Sequence, residues 1–278
     1  MKKVLFVMNN LQCGGAEKAL VSLLREMDFT KYEVDLYLFT HDGLFMDQIP
    51  AQVNLLPAPK AYHFFDMPVK TAVIENLKKG DIVIALNRIL AGFVYKSESI
   101  KSRQEQKVWK YLSKAIAKLE KKYDFAIGYL EKTPNYFCIE KVSATKKIGF
   151  IHNDYNKLQM DAGIDLPYFE KFDRIFTISE QCETILKENF PSVVKKFGVM
   201  YNIVSPETLH SMAAEKVDFN PSGFALVSVG RLNTQKGFDI AIDALKILTD
   251  KGLDLYWYIL GEGEERPVLE EKIKANNL

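Results

Sequence analysis

One pattern occurs twice in this chain and constrains its fold more than any other feature. It is an apolar run, a glycine-bearing loop, an amphipathic helix and a second apolar run. The first copy begins at Val4-Leu-Phe-Val-Met8, where no polar residue interrupts. Such a run predicts a strand buried on both faces of a parallel sheet. Asn9–Gly15 is the loop, with Gly14 and Gly15 adjacent. Ala16, Ala19, Leu20, Leu23, Leu24 and Met27 then fall at helical spacing, and Glu33–Phe39 is the next strand. Strand, crossover helix and strand form the unit of a doubly wound sheet.

The second copy starts at Phe224-Ala-Leu-Val-Ser-Val229. Its loop is Gly230–Gly237, its helix Phe238–Thr249 and its next strand Leu253–Leu260, followed by Gly261-Glu-Gly263 and a short helix. Between the copies, Phe125–Tyr129, Lys147–Ile151 and Arg174–Ile178 read as strands, and Arg103–Lys121 and Ser179–Asn189 as helices. Residues 41–70 hold Pro50, Pro57, Pro59 and Pro68 and predict an irregular loop region. The polar stretch Glu215–Ser222, with Asn220-Pro221, predicts a linker. The expected organisation is therefore a first α/β domain at 1–214, a linker at 215–222 and the start of a second α/β domain at 223–278. Two strands fall short of the roughly 4–6 of an ordinary open sheet, so the second domain is expected to be incomplete in this chain.

Charge narrows the function classes. Lys and Arg number 37 and Asp and Glu 36, so the net charge of +1 argues against a generic binder of nucleic acid or other polyanions. Cys13, Cys138 and Cys182 are too few and too scattered for a disulfide framework or a zinc site, and they suit a reducing compartment. Val4–Met8 is too short for a signal peptide, and Ile82–Tyr95 is broken by Asn87 and Arg88 and falls short of the ~20 residues of a membrane span. A cytoplasmic protein is expected. From Lys96 to Lys122 there are nine Lys or Arg against three Glu. Lys107, Lys110, Lys114, Lys118 and Lys121 share one face of the predicted helix; Trp109, Leu112, Ile116 and Leu119 share another. Two readings stay open: a helix lying on an anionic membrane surface, or an ordinary core helix with a solvated lysine face.

Three places could carry chemistry. Gly14-Gly15, at a strand-to-helix turn, allow close approach of a ligand to backbone N–H groups at a helix N-terminus, or simply make a tight turn. Arg231 and Lys236, in Gly230-Arg-Leu-Asn-Thr-Gln-Lys-Gly237, share one loop after a strand. There they could grip a diphosphate, Arg bidentately and Lys as a compact charge, or remain solvated surface charges. His152 follows a predicted strand and could donate to a substrate hydroxyl or serve as a structural hydrogen-bond partner. Asp-x-Asp, the Gly-x-Gly-x-x-Gly fingerprint, the P-loop and the Gly-x-Ser-x-Gly elbow are all missing from the chain.

Taken together, several motifs resemble the GT-B-fold retaining glycosyltransferases of family four, in particular bacterial enzymes of capsular and exopolysaccharide assembly. They are Gly14-Gly-Ala-Glu17, His152, Ser179-Glu180, Tyr201-Asn-Ile203, Val229-Gly-Arg-Leu-Asn-Thr-Gln-Lys-Gly237 and Leu260-Gly-Glu-Gly-Glu-Glu265. The resemblance implies two Rossmann-like doubly wound domains facing a cleft. The nucleotide diphosphate sugar donor would lie mainly on the second domain and a glycan or lipid-linked acceptor mainly on the first. By position, Arg231 and Lys236 would bind the donor diphosphate. Gly14 and Gly15 would line the cleft beside phosphate and acceptor, and His152 would approach the transferred sugar. Glu262 and Gly263 would lie near the nucleotide base, and Asn202 by the interdomain crossover. The reaction would retain anomeric configuration and need neither a metal nor a cofactor, in keeping with the missing Asp-x-Asp.

The family's Glu-x7-Glu pair is not found. Glu262 and Glu270 have its spacing but lack its neighbouring residues, and they are rejected as the pair. An alternative reading follows: a truncated, non-catalytic acceptor-binding or partner-dependent subunit. A dinucleotide-dependent oxidoreductase is disfavoured by the missing glycine fingerprint.

Overall fold

The apolar run at the N-terminus becomes β1 (Lys2–Met8), and its neighbours explain its composition. Leu5 and Val7 join one core; Val4, Phe6 and Met8 join another. Successive side chains of a strand point to opposite faces, so both faces of this strand are covered and neither tolerates a polar residue. β1 pairs in parallel with β2 (Tyr32–Leu38), which pairs with β3 (Asn54–Leu55). On its other side β1 pairs with β4 (Lys122–Gly128), followed in order by β5 (Ser143–Ile151), β6 (Arg174–Thr177) and β7 (Phe197–Val199). The strand order 3-2-1-4-5-6-7 is that of a doubly wound sheet, with its switch point between β1 and β4.

This computed structural model describes residues 1–203 and 223–278, with residues 206, 210, 213, 214 and 216. The linker expected at 215–222 lies, Lys216 apart, outside the described residues. The chain divides into two compact units, Met1–Pro206 and Glu207–Leu278.

In the first unit α1 (Gly15–Arg25) covers one face of the sheet through Ala19, Leu20, Val21 and Leu24. Residues 41–70 are less irregular than expected. They contain β3, a single helical turn α2 (His63–Asp66) and the start of α3 (Val69–Lys79). α4 (Ile82–Ser97) packs on α3 and on α5 (Lys101–Ala115), an outer layer over the second core. That core is filled by Trp109 and Leu112 of α5 and by Tyr136 and Phe137 of α6 (Thr133–Lys141). α7 (Ala162–Phe169) and α8 (Glu180–Asn189) complete the unit. Side-chain caps set their starts: Asp161 accepts from Gly163 N–H at 2.9 Å and Ser179 Oγ from Cys182 N–H at 3.2 Å.

The helix expected over Arg103–Lys121 stops at Ala115, which corrects the lysine stripe. Ile116 is extended, and Lys118 and Lys121 lie beyond the helix. The cause is tertiary. Lys121 Nζ reaches Asp35 at 2.8 Å and Glu33 at 2.7 Å on β2, and Asp35 is buried. A buried carboxylate needs a charged or hydrogen-bonding partner, and Lys121 meets that need only off the helix.

The second unit holds β8 (Phe224–Val229) and β9 (Leu255–Leu260), paired in parallel, with α9 (Phe238–Asp250) and α10 (Arg266–Ala275). Trp257 and Ile259 pack with Phe238, Ile242 and Leu269. Val227, Val229, Tyr256, Tyr258 and Leu260, on the opposite face of the two strands, are exposed.

Candidate functional site

In the first unit the predicted residues gather at the carboxyl edge of the sheet, where open α/β sheets bind ligands. Gly14 caps α1 with extended backbone, and Gly15 opens the helix. A Cβ placed on Gly15 would meet no atom within 4 Å, so packing within the chain does not account for that glycine. On Gly14 a Cβ would strike the Glu17 carboxylate, the end of a flexible side chain.

His152 directly follows β5, two strands from β1 across β4. Its ring is buried against Tyr129 and Phe150, with centroids 5.0 and 5.7 Å away. Neither ring nitrogen has a hydrogen-bond partner among the described residues. Burial holds the imidazole below its ordinary pKa, opposed by the Glu131 carboxylate and the Tyr129 backbone. A neutral ring offers one N–H donor and one lone pair. The Tyr129 backbone can serve at most one ring nitrogen, so at least one is left buried without a partner among the described residues, at a cost in free energy that a polar ligand could relieve.

Glu131 is a residue that sequence reasoning missed. Its buried carboxylate accepts the His152 backbone N–H at 3.0 Å and Asn153 Nδ2–H at 2.6 Å. It thereby fixes the turn that aims His152. Lys132 beside it adopts φ 65° and ψ −119°, an uncommon conformation for a residue with a Cβ, and its ammonium pairs with Glu105 at 2.5 Å. The one sequence signal for this pair is its place just past a strand end.

A pocket of about 330 Å3 opens beside the switch point. Asn9 follows β1, Thr133 opens α6, and Tyr62, Phe65, Asp66 and Tyr95 add aromatic and carboxylate walls. Asn9 Oδ1 is buried without a partner among the described residues. Arg88 braces the wall by donating to the Phe64 and Met67 carbonyls at 2.8 and 2.7 Å while lying over the Phe65 and Tyr95 rings. Aromatic faces with a few convergent polar groups suit a hydroxyl-rich ring. None of these pocket residues stood out in the sequence.

In the second unit the loops after β8 and β9 interlock. Leu232 N–H donates to the Glu262 carbonyl at 2.9 Å, and Glu265 N–H to the Leu232 carbonyl at 3.1 Å. A Cβ on Gly261 would lie 1.8 Å from Gly230 O, and one on Gly263 would lie 2.1 Å from Leu232 O. Backbone contact between the loops therefore explains these glycines. The interlocked loops present Arg231 and Lys236, both exposed and without an ion pair among the described residues. Gly237, at φ 65°, caps α9 immediately after Lys236. Asn233 Oδ1 in the same loop is buried without a partner among the described residues. The Glu262 carboxylate pairs with Arg266, and so does Glu270 at 2.8 Å, so both acids serve one guanidinium on the helix surface. Asn202 is exposed in the segment after β7.

No family model matches the chain. An uncharacterized glycosyltransferase of Methanocaldococcus jannaschii is 30% identical over 118 residues, 40% of this chain and 29% of that protein. Thus the match spans less than a third of the curated relative's length. Anabaena HepE, solved in complex with UDP-glucose, aligns with a TM-score of 0.55 at 14% identity, over 100% of this chain and 67% of its own. A variant of S. aureus TarM, solved with fondaparinux, alpha-GlcNAc-glycerol and UDP, aligns with a TM-score of 0.57 at 11% identity, over 100% and 76%. The fold is that of the GT-B glycosyltransferases. Among the described residues no helix is long and apolar enough to cross a membrane.

Proposed function

We propose that the chain is a glycosyltransferase, or the greater part of one, that moves a sugar from a nucleotide diphosphate sugar to a glycan or lipid-linked glycan in cell-surface polysaccharide assembly. The observation that carries the reading is the pair of unpaired cations, Arg231 and Lys236, on a loop held rigid at the carboxyl edge of β8–β9. Fixed positive charge aimed where a leaving group gains negative charge lowers the barrier to its departure. The UDP complexes of the HepE and TarM structures support a nucleotide donor. In the proposed step the bond from the anomeric carbon to the donor phosphate oxygen breaks. The acceptor oxygen bonds on the same face, with retention, and its proton passes to the departing diphosphate. Neutral His152 donates a hydrogen bond to a hydroxyl of the transferred sugar, and Gly14 and Gly15 admit phosphate and acceptor close to the α1 N-terminus. Glu262 and Gly263 lie toward the nucleotide base, and Asn202 serves the crossover between the units. No metal or cofactor takes part. The expected setting is the cytoplasmic face of a cell membrane.

A second reading draws on the exposed face of β8–β9: an acceptor-binding subunit that needs a partner for turnover. Calorimetry with UDP separates the two. Lys236→Ala is expected to weaken UDP binding about tenfold or more, the size of a lost charge-assisted hydrogen bond, with the fold intact. Unchanged UDP affinity in Lys236→Ala and Arg231→Ala would overturn the diphosphate assignment. A chain that binds acceptor glycan but no UDP would favour the second reading.

A further inference from the structure

Among the described residues nothing covers the apolar surface of α4. Ile82, Leu86, Ile89 and Phe93 are 67%, 55%, 38% and 64% exposed, and their 4-3-4 spacing sets them in one stripe along the helix. Val83 flanks the stripe, and Ile74 and Leu77 of α3 continue the exposed apolar surface up to the turn between the helices. Exposed apolar groups arranged this way mark an interaction surface; single exposed ones would not. The charges around it are mostly of one sign. Lys70, Lys78 and Lys96 are exposed and have no ion pair among the described residues, against Glu75 and Asp81, while Lys79 turns its ammonium onto the Phe64 ring, 4.9 Å from the centroid. α5, whose lysines drew attention in the sequence, behaves differently. Its apolar stripe of Trp109 and Leu112 is buried in the core, and Lys107 is paired with Glu98.

We propose that the α3–α4 face docks the protein on an anionic lipid bilayer. α4 would lie in the plane of the membrane with its stripe at the boundary of headgroups and acyl chains and the lysines on lipid phosphates. An apolar stripe with cations beside it is the pattern of an interfacial helix. Spanning is excluded for α4, which has 16 residues and carries Asn87, Arg88 and Lys96. A second copy fits less well, because a symmetric contact through this face brings two sets of unpaired lysines together. Tyr95, on the same helix, walls the 330 Å3 pocket beside the switch point. Tyr95 lies on the side of α4 away from the stripe, near the helix C-terminus, so a lipid-borne acceptor would reach the pocket past the end of the docked helix. That last link rests on the acceptor reading above; the docking does not.

The test is flotation of the 278-residue chain with phosphatidylcholine vesicles, with and without phosphatidylglycerol. Binding is expected to the anionic vesicles only and to weaken at high salt. The double variant Leu86→Ser with Phe93→Ser is expected to lower it about tenfold or more. Lys70→Gln with Lys78→Gln should lower it too, whereas Lys110→Gln with Lys114→Gln on α5 should leave it unchanged. Circular dichroism and UDP binding, read on each variant, separate loss of docking from loss of fold. A wild-type chain that does not float, or flotation indifferent to the α4 variants, overturns the proposal. A dimer in solution that Phe93→Ser abolishes, without vesicle binding, reassigns the face to a second copy. Vesicle binding without UDP binding upholds the docking and sinks the donor reading instead.

Discussion

His152 and Asp165 are buried titratable groups of the first unit, and burial moves them in opposite senses because one is neutral and the other charged when it loses a proton. His152 is held below its ordinary value and stays neutral near pH 7. Asp165 is pushed up to about 6 by burial, against hydrogen bonds from the Tyr136 and Tyr155 hydroxyls and the Gln106 amide. The two should act oppositely on stability. A raised carboxyl contributes stability below its unfolded pKa, and loses it as pH rises through the folded value. We expect the urea midpoint of the wild type to fall, relative to Asp165→Asn, between about pH 4 and 6.5, and the difference to level off above. A constant difference across that window would mean that Asp165 is ionised throughout. Nothing in the sequence marked Asp165 or Glu131, since a carboxylate in a chain carries no sign of whether folding will bury it. His152 was legible because its place after a strand could be read.

At the scale of elements, the strands and their glycine loops were the most legible feature, and the outer helices the least. The loop pair after β8 and β9 shows why motif residues need sorting once the fold is known. Gly263 faces backbone, with 2.1 Å to Leu232 O from the site of a Cβ, whereas Gly15 faces open space. Gly263→Ala is therefore expected to cost about 1–3 kcal/mol, since neither loop can retreat without breaking the hydrogen bonds that join them. Gly15→Ala should change stability by less than about 0.5 kcal/mol while weakening phosphate binding. Chemical denaturation paired with UDP calorimetry checks both; equal destabilisation by the two would refute the distinction. The α4 and α5 helices make the same point. Both have an apolar stripe and lysines, and for α5 periodicity left two readings open, a membrane face or a core helix with a solvated lysine face. The layers decide for the core helix, because the α5 stripe is buried whereas that of α4 is exposed.

For the whole molecule, the two units differ in how much core supports them. Among the described residues, the first has a seven-stranded sheet with a core on each face, and the second has two strands and a cluster centred on Leu232, Phe238, Ile242 and Leu269. Local stability follows buried apolar contact, so amides of β8 and β9 should exchange with solvent faster than those of β1, β4 and β5. Hydrogen exchange read by mass spectrometry tests this, and equal protection in the two units would contradict it. Sequence by itself determined the doubly wound α/β class, the buried strands and the placing of Arg231 and Lys236 on one loop after a strand. Each follows from a periodicity or a spacing within one stretch of chain, which local steric and solvation rules govern. Tertiary structure alone decided that Lys121 leaves its helix for Asp35, that Glu131 holds the His152 turn, that Asn9 and Tyr95 wall one pocket, and that α4 faces outward. Those facts join residues far apart in the chain, and burial, the quantity that sets their energies, exists only once the layers have packed.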